Sequence, residues 1–161
     1  MAHVDYFLKI DGIEGESEDA KHKAEIDLES WSWGETNSGS SAAGGGGGAG
    51  KVSMQDFNFV MKINKASPKL LLACAGGQHI KGAALTCRKA GKEQQEYLII
   101  KFSDLLISSF QTGGSSGDIV PVDQISFNFS KIEYEYSPQK PDGTLGTKIP
   151  VHWDLKQNKG G

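Results

Sequence analysis

Val4, Tyr6, Leu8 and Ile10 fall on one parity and predict that the chain opens as a strand. Ile26 and Leu28 then point one way, while Trp31 and Trp33 fall on the opposite parity. The slip recurs where Val52 and Met54 give way to Phe57, Phe59, Met61 and Ile63. It recurs again where Ile125, Phe127 and Phe129 give way to Ile132, Tyr134 and Tyr136. A one-residue slip moves every following side chain to the other face, so a flat strand satisfies only one half of each pattern. Either a β-bulge or a bend that carries the strand onto a second surface resolves it. Three such defects predict strongly curved sheets, or an edge covered on one face by core and on the other by a neighbouring subunit.

Further strands are predicted over Ala84 to Lys89, Glu96 to Ser103, Leu105 to Phe110 and Lys148 to Leu155. Tyr97-Leu98-Ile99-Ile100 is apolar on both parities and reads as a strand buried on both faces. Pro141-Asp142-Gly143-Thr144 carries turn chemistry. One helix is predicted: Ser67 as N-cap, Pro68 in the first position, Leu70 to Ala75 over two turns, and Gly76-Gly77 as the stop. The expected fold is mainly β, an antiparallel β-barrel or sandwich of curved sheets with one short flanking helix. The 161 residues suit a single domain, 1–161.

One stretch has neither period. Residues 37–50, from Asn37 and Gly39 through Gly44, Gly47 and Gly50, are rich in Gly, Ser and Ala and join two strong strand patterns. Connections of this length without structure of their own are functional or disordered in compact domains. A shorter Gly/Ser loop spans Thr112 to Gly117.

Charge narrows the partners. Seventeen basic against twenty acidic residues give a net charge of −3 and no basic stripe, which excludes nucleic acid as a partner. The densest basic stretch is only Cys87-Arg88-Lys89-Ala90-Gly91-Lys92. No run approaches the roughly 18 apolar residues of a membrane span. The start, Met1-Ala2-His3-Val4-Asp5, meets an acid at once, so a chain made in the cytoplasm without a signal peptide is expected. Cys74 and Cys87 are then expected as reduced thiols.

Chemistry narrows the function further. Gly45, Gly50 and Lys51 fit the frame of a phosphate-binding loop. Val52, however, stands where magnesium needs a hydroxyl, and the segment that follows alternates as a strand where phosphate needs a helix N-terminus. His3, His22, His79 and His152 are dispersed without metal-ligand spacing, and His79 and His152 read as partly buried structural residues. Glu14, Glu16, Glu18 and Asp19 lack the spacing of a calcium loop and read as a solvated loop. No nucleophile elbow or catalytic cysteine context is present. An enzyme is therefore not expected, and no cofactor or metal is called for. Trp31, Trp33 and Trp153 fit core or subunit-interface positions better than a carbohydrate platform.

Several strings occur in an order that resembles the haemolysin-coregulated protein family, the tube subunit of type VI secretion. They are Trp31-Ser32-Trp33-Gly34, Gly44 to Val52, Gln55-Asp56-Phe57, Ser67-Pro68-Lys69-Leu70, Cys87-Arg88-Lys89-Ala90-Gly91, Glu96 to Ile100 and Tyr136-Ser137-Pro138-Gln139-Lys140. The resemblance covers essentially the whole chain. It implies a β-barrel flanked by a helix, similar to phage tail-tube proteins and assembled into six-membered homo-oligomeric rings. Rings stack into a tube that a contractile sheath drives out of the cell with a spike, so the subunit itself is secreted. The tube also carries small effector proteins in its lumen. On this resemblance Asn37, Gly39, Gly44, Gly47, Gly50 and Lys51 belong to a ring-stacking loop. Thr112, Gly113, Ser115 and Ser116 lie near the lumen. The rival reading from another class is a monomeric β-barrel module that binds carbohydrate or peptide through its tryptophans.

Overall fold

The computed structural model describes residues 4–38, 51–89, 94–117 and 119–161. Its strands are β1 (Val4–Ile10), β2 (Ile26–Asp27), β3 (Ser30–Ser32), β4 (Glu35–Asn37), β5 (Val52–Met54) and β6 (Phe57–Lys62). Helix α1 (Ala66–Gly76) follows. Then come β7 (His79–Lys89), β8 (Glu96–Gly113), β9 (Val122–Asn128), β10 (Lys131–Tyr136), β11 (Ile149–Asp154) and β12 (Lys159–Gly160). Every ladder is antiparallel, as the sequence pattern requires.

Each parity slip is a bend rather than a bulge. Between β2 and β3 the backbone changes partner within two residues: the Leu28 N–H donates to Tyr6 O at 3.0 Å, and the Glu29 N–H donates to Val60 O at 2.8 Å. Between β5 and β6 the chain leaves a two-stranded ribbon with β4 and joins the main sheet. Between β9 and β10 it passes from the distal to the proximal half of β8. Side chains change face at each bend because the surface they cover has changed, which preserves burial on both sides of the slip.

The bends curl the sheet into a barrel wall. β1 pairs with β7, β7 with the first half of β8, the second half of β8 with β9, β9 with β6, and β6 with β3. The only link from β3 back to β1 is the bend at Leu28-Glu29, so the curved wall is left open there, with no ladder to close it among the described residues. Beyond β8, strands β10, β11 and β12 extend the sheet outward as a flap.

Two predicted strands are in fact one. β8 runs unbroken for 18 residues, with Asp104 at φ +57° where the sequence pattern placed its gap. That left-handed residue and a register shift near Ser108 bend the strand without ending it. The strand predicted from Ala84 begins earlier, at His79, and Gly82 lies within it. Tyr97 and Ile99 are half-buried while Leu98 and Ile100 are buried, so this segment has one core face, not two.

The helix starts one residue before Ser67. Asn64 Oδ1 accepts from the Ala66 N–H at 2.8 Å, and Ser67 Oγ accepts from the Asn64 N–H at 3.0 Å. Ser67 also donates to the buried carboxylate of Asp123, tying the helix to β9. Pro68 stays within the first turn, where its missing N–H has no intrahelical acceptor to lose. At the other end Gly77 adopts φ +63° and the Gln78 N–H donates to Ala73 O at 3.0 Å, a Schellman closure.

Five phenylalanines form the centre of the core. Phe57 lies 4.9 Å from Phe102 and 5.0 Å from Phe127 between ring centroids, and Phe102 lies 4.9 Å from Phe129. Phe57→Ala should therefore destabilise the chain by about 3–5 kcal/mol, a large share of a domain's roughly 5–15 kcal/mol. Urea unfolding checks this, and a cost below about 1 kcal/mol would show that the ring is not central to packing.

Candidate functional site

Among the described residues no group of three or more His, Cys, Asp or Glu could hold a metal ion, and no helix is long and apolar enough to cross a membrane. What the molecule does present is surface. β4 and β5 stand as a separate ribbon beside β10, β11 and β12, with a groove of about 1180 Å³ between them. Trp31, Trp33, Met54, Tyr134, Val151 and Trp153 line it. Trp31 packs edge-on to Tyr6 and stacks on Phe57, and Trp33 leans on Phe129. Trp153 pairs with Ile132 and Gly160. All three tryptophans are half-buried, with core on one side and groove on the other. The apolar surface continues along β10 and β11, where Tyr134 faces Val151 and Tyr136 faces Ile149, all four exposed.

A second surface has the opposite character. On the outer face of β3, β6, β9 and the distal half of β8, the register builds two cross-strand rows. One is Ser30, Val60, Gln124 and Gln111; the other is Ser32, Asn58, Ser126 and Ser109. Neither row holds an ionisable group. Charge returns only at the margins, in the Lys62–Glu29 pair at 3.6 Å and in Asp56, which accepts from Ser108 and Asn128. Among the described residues neither β3 nor the distal half of β8 has a ladder partner on its other side. The uncharged face is therefore framed by two unpaired strand edges.

The described parts of the two predicted loops lie at different surfaces. Asn37 pairs with Val52 in the β4–β5 ribbon and Lys51 is exposed at its base; Gly39, Gly44, Gly47 and Gly50 lie outside the described residues. Val52 enters a strand, so no helix N-terminus faces Lys51. Thr112 and Gly113 end β8 opposite Asp123 and Val122, and Ser115 and Ser116 follow in an exposed turn. That turn continues the hairpin carrying Gln111 and Gln124.

Two of the histidines and one of the acids lie elsewhere than the sequence pattern placed them. His79 and His152 are exposed rather than partly buried, because each lies on the solvent side of its strand. His79 donates toward Asp104, which also accepts from Ser130; both hydrogen bonds hold the Asp104 carboxyl below its usual range. The carboxylate stands between the Ser130 hydroxyl and the His79 imidazole, each of which hydrogen-bonds a different one of its oxygens.

Among the described residues the buried histidine is His22, at 7% exposure, with Nδ1 2.9 Å from Glu25 and Nε2 2.6 Å from Glu96. Beside it Arg88 is 2% exposed, forked onto both oxygens of Asp19 and bonded to Asp5. Asp19 is thus no solvated loop residue, and the hydrogen bond from Arg88 holds its carboxyl well below the usual range. Glu14, Glu16 and Glu18 are exposed, as expected of a solvated loop, and Glu14 and Glu16 meet Lys65 there through an ion pair and its backbone N–H. No periodic signal marks these residues, since all the pairs but His22–Glu25 span distant parts of the chain.

Cys74 sits half-buried on α1 and Cys87 is fully buried in β7. Burial pushes the Cys87 thiol up to about 12, so it is no nucleophile at neutral pH. A Cys74→Ala, Cys87→Ala variant should keep its fold and oligomeric mass, losing at most a few kcal/mol to small cavities. A change of mass by light scattering would contradict this.

Comparison with known proteins gives one answer. The family model described as "Type VI secretion system effector, Hcp" matches residues 7–136. Protein hcp1 of Pseudomonas aeruginosa is 50% identical over 157 residues, 96% of this chain and 97% of that protein. The crystal structure of Hcp1 from Salmonella typhimurium shares 40% identity with a TM-score of 0.84 and full coverage of both chains. A type VI secretion system effector from Yersinia pestis shares 38% identity with a TM-score of 0.75, covering 93% of this chain and 99% of that one. With its fold, length and residue order in agreement, this chain belongs to the Hcp family of type VI secretion proteins.

Proposed function

We propose that the chain is a non-enzymatic ring subunit of a type VI secretion tube, and that it works by geometry. The observation that carries this reading is the uncharged face framed by two unpaired strand edges. Unpaired edges are templates for further pairing. If the β3 edge of one subunit meets the distal β8 edge of the next, the contact is heterologous and closes by rotation into a ring. Six four-stranded faces joined in this way make a barrel of about 24 strands, wider than the 16–18-stranded barrels that already leave an aqueous channel.

The rows of Ser, Asn and Gln would then line the lumen. A wall without ionisable groups offers hydrogen bonds but no charge selection, which suits passage of unrelated small effector proteins. The Thr112 to Ser116 turn lies at one end of that wall, near the lumen. On the outside the tryptophan groove needs covering, because exposed apolar surface of this extent marks an interaction site. A neighbouring subunit fits that role.

The 37–50 loop, rooted where Asn37 meets Val52, supplies head-to-tail stacking. Axial contacts that do not close extend rings into a tube. Sheath and spike components would then drive the tube outward and carry the subunit with it. Negative-stain microscopy of the purified protein should show annular particles with a stain-filled centre. Solid particles or featureless monomers would overturn the reading.

A further inference from the structure

The segment between β1 and β2 does not form an ordinary loop. It doubles back on itself: the Gly15 N–H donates to Ala24 O and the Ala24 N–H to Ser17 O, both at 2.8 Å, and the Ser17 N–H donates to Glu25 O at 3.0 Å. The approach is so close at Gly15 that a Cβ there would stand 2.5 Å from Glu25 O. Within this pairing Ala24 is held at φ +65°, a conformation that non-glycine residues adopt only when their surroundings impose it. The strap must therefore be fastened from outside, and two fasteners are visible.

The first is Arg88 of β7, forked onto Asp19 and bonded to Asp5 of β1. The second is His22, stacked on the Phe7 ring at 4.4 Å and clamped between Glu25 of the strap and Glu96 of β8. The charged groups around it are Asp19 and Glu25 from the strap, Asp5 from β1, Asp27 from β2, Arg88 from β7 and Glu96 from β8. Five carboxylates thus surround two cations. An imidazolium donates from both ring nitrogens and satisfies both glutamates, whereas a neutral imidazole has one donor and turns a lone pair toward the other carboxylate.

We propose that His22 is a proton-operated latch: protonated, it clamps the strap over β1, β7 and β8, and on losing its proton it lets residues 20–25 lift while Arg88 keeps Asp19 attached. The direction follows from the cluster. Burial opposes the charge on His22, but the hydrogen bonds to Glu25 and Glu96 outweigh it and raise its pKa above the ordinary value. A raised pKa means that the clamp is complete below about pH 6.5 and is lost as pH rises through the folded value. Arg88 does not titrate in this range. Opening is therefore local, of the kind that exposes one segment while the core stays folded.

Lys21 and Lys23 lie on the segment that would lift, so trypsin reads the latch directly. Cleavage after these lysines is measured from pH 6 to 9 and divided by the cleavage rate of a free peptide with the sequence of residues 18–26. The imidazole of His22 is titrated in parallel by NMR. The normalised rate should rise roughly threefold or more, with its midpoint at the imidazole's own, because each pKa unit between closed and open states is a tenfold change in opening.

Glu96→Gln keeps the histidine but removes one of the charges that hold its proton, so the step should move to lower pH. His22→Gln should be cleaved fast at every pH, with no step. A flat normalised rate across the imidazole titration overturns the proposal. So does a wild-type step retained in His22→Gln, or a folded His22 that titrates at or below about 6.5. If His22→Gln does not fold, the shift in Glu96→Gln decides.

Discussion

Val151→Glu should turn the assembled protein into a folded monomer of 17.3 kDa. Val151 is 51% exposed in the single chain and shares the groove with Tyr134 and Trp153. In the monomer the new carboxylate stays hydrated, and surface substitutions of this kind fall within about 0.5 kcal/mol. In an assembly whose neighbour covers the groove, the carboxylate is desolvated without a partner, at a cost of several kcal/mol per contact. Around a closed ring that cost recurs at every subunit, so the variant should lose the ring rather than weaken it. Lys81→Glu, an exposed change on β7 away from the groove, is the control and should leave the mass unchanged. If Val151→Glu stays assembled, the groove does not face a neighbour.

Replacing residues 40–49 by a short turn should leave single rings intact and abolish tubes and secretion. Ordering one backbone residue costs roughly 1–2 kcal/mol, and glycine loses the most freedom. A stretch as glycine-dense as Gly44 to Gly50 has little of its own to offset that cost, so contact with the adjacent ring is the natural source. The base of the loop carries its own backbone pairing, Glu35–Met54, Thr36–Ser53 and Asn37–Val52, which the shortened variant keeps. Electron microscopy and a secretion assay read the two halves of the expectation separately. Long tubes from the shortened variant would contradict it, and so would failure to close a ring.

The parity slips are the most informative marks in the sequence. Each announces a bend because burial forces every side chain to follow the surface it covers, and so a curved β fold is legible from the alternation of apolar and polar residues alone. The helix is legible from Leu70, Ala73 and Gly77, although its start is displaced. The helix opens at Ala66 behind Lys65, which gives no side-chain cap, and the Ser67 hydroxyl is committed to Asp123 across 56 residues. The outer rows of Ser, Asn and Gln are not legible as a surface. They come from four strands, and only the register brings Ser30, Gln124 and Gln111 into line. The same holds for Arg88 and His22, whose partners Asp5, Asp19 and Glu96 lie far apart in sequence. Periodicity reports which face a residue occupies; charge pairing across strands leaves no periodic trace.

The central claim is that one chain's two strand edges and its tryptophan groove are completed by neighbouring copies. Standard interfaces bury about 800 Å² per partner, and a ring subunit has two of them, so the assembly should survive dilution. Multi-angle light scattering of the purified protein at micromolar concentration tests this most directly. The account predicts one species of about six chain masses that persists on tenfold dilution and dissociates only in denaturant. A single species of 17.3 kDa under the same conditions would contradict it.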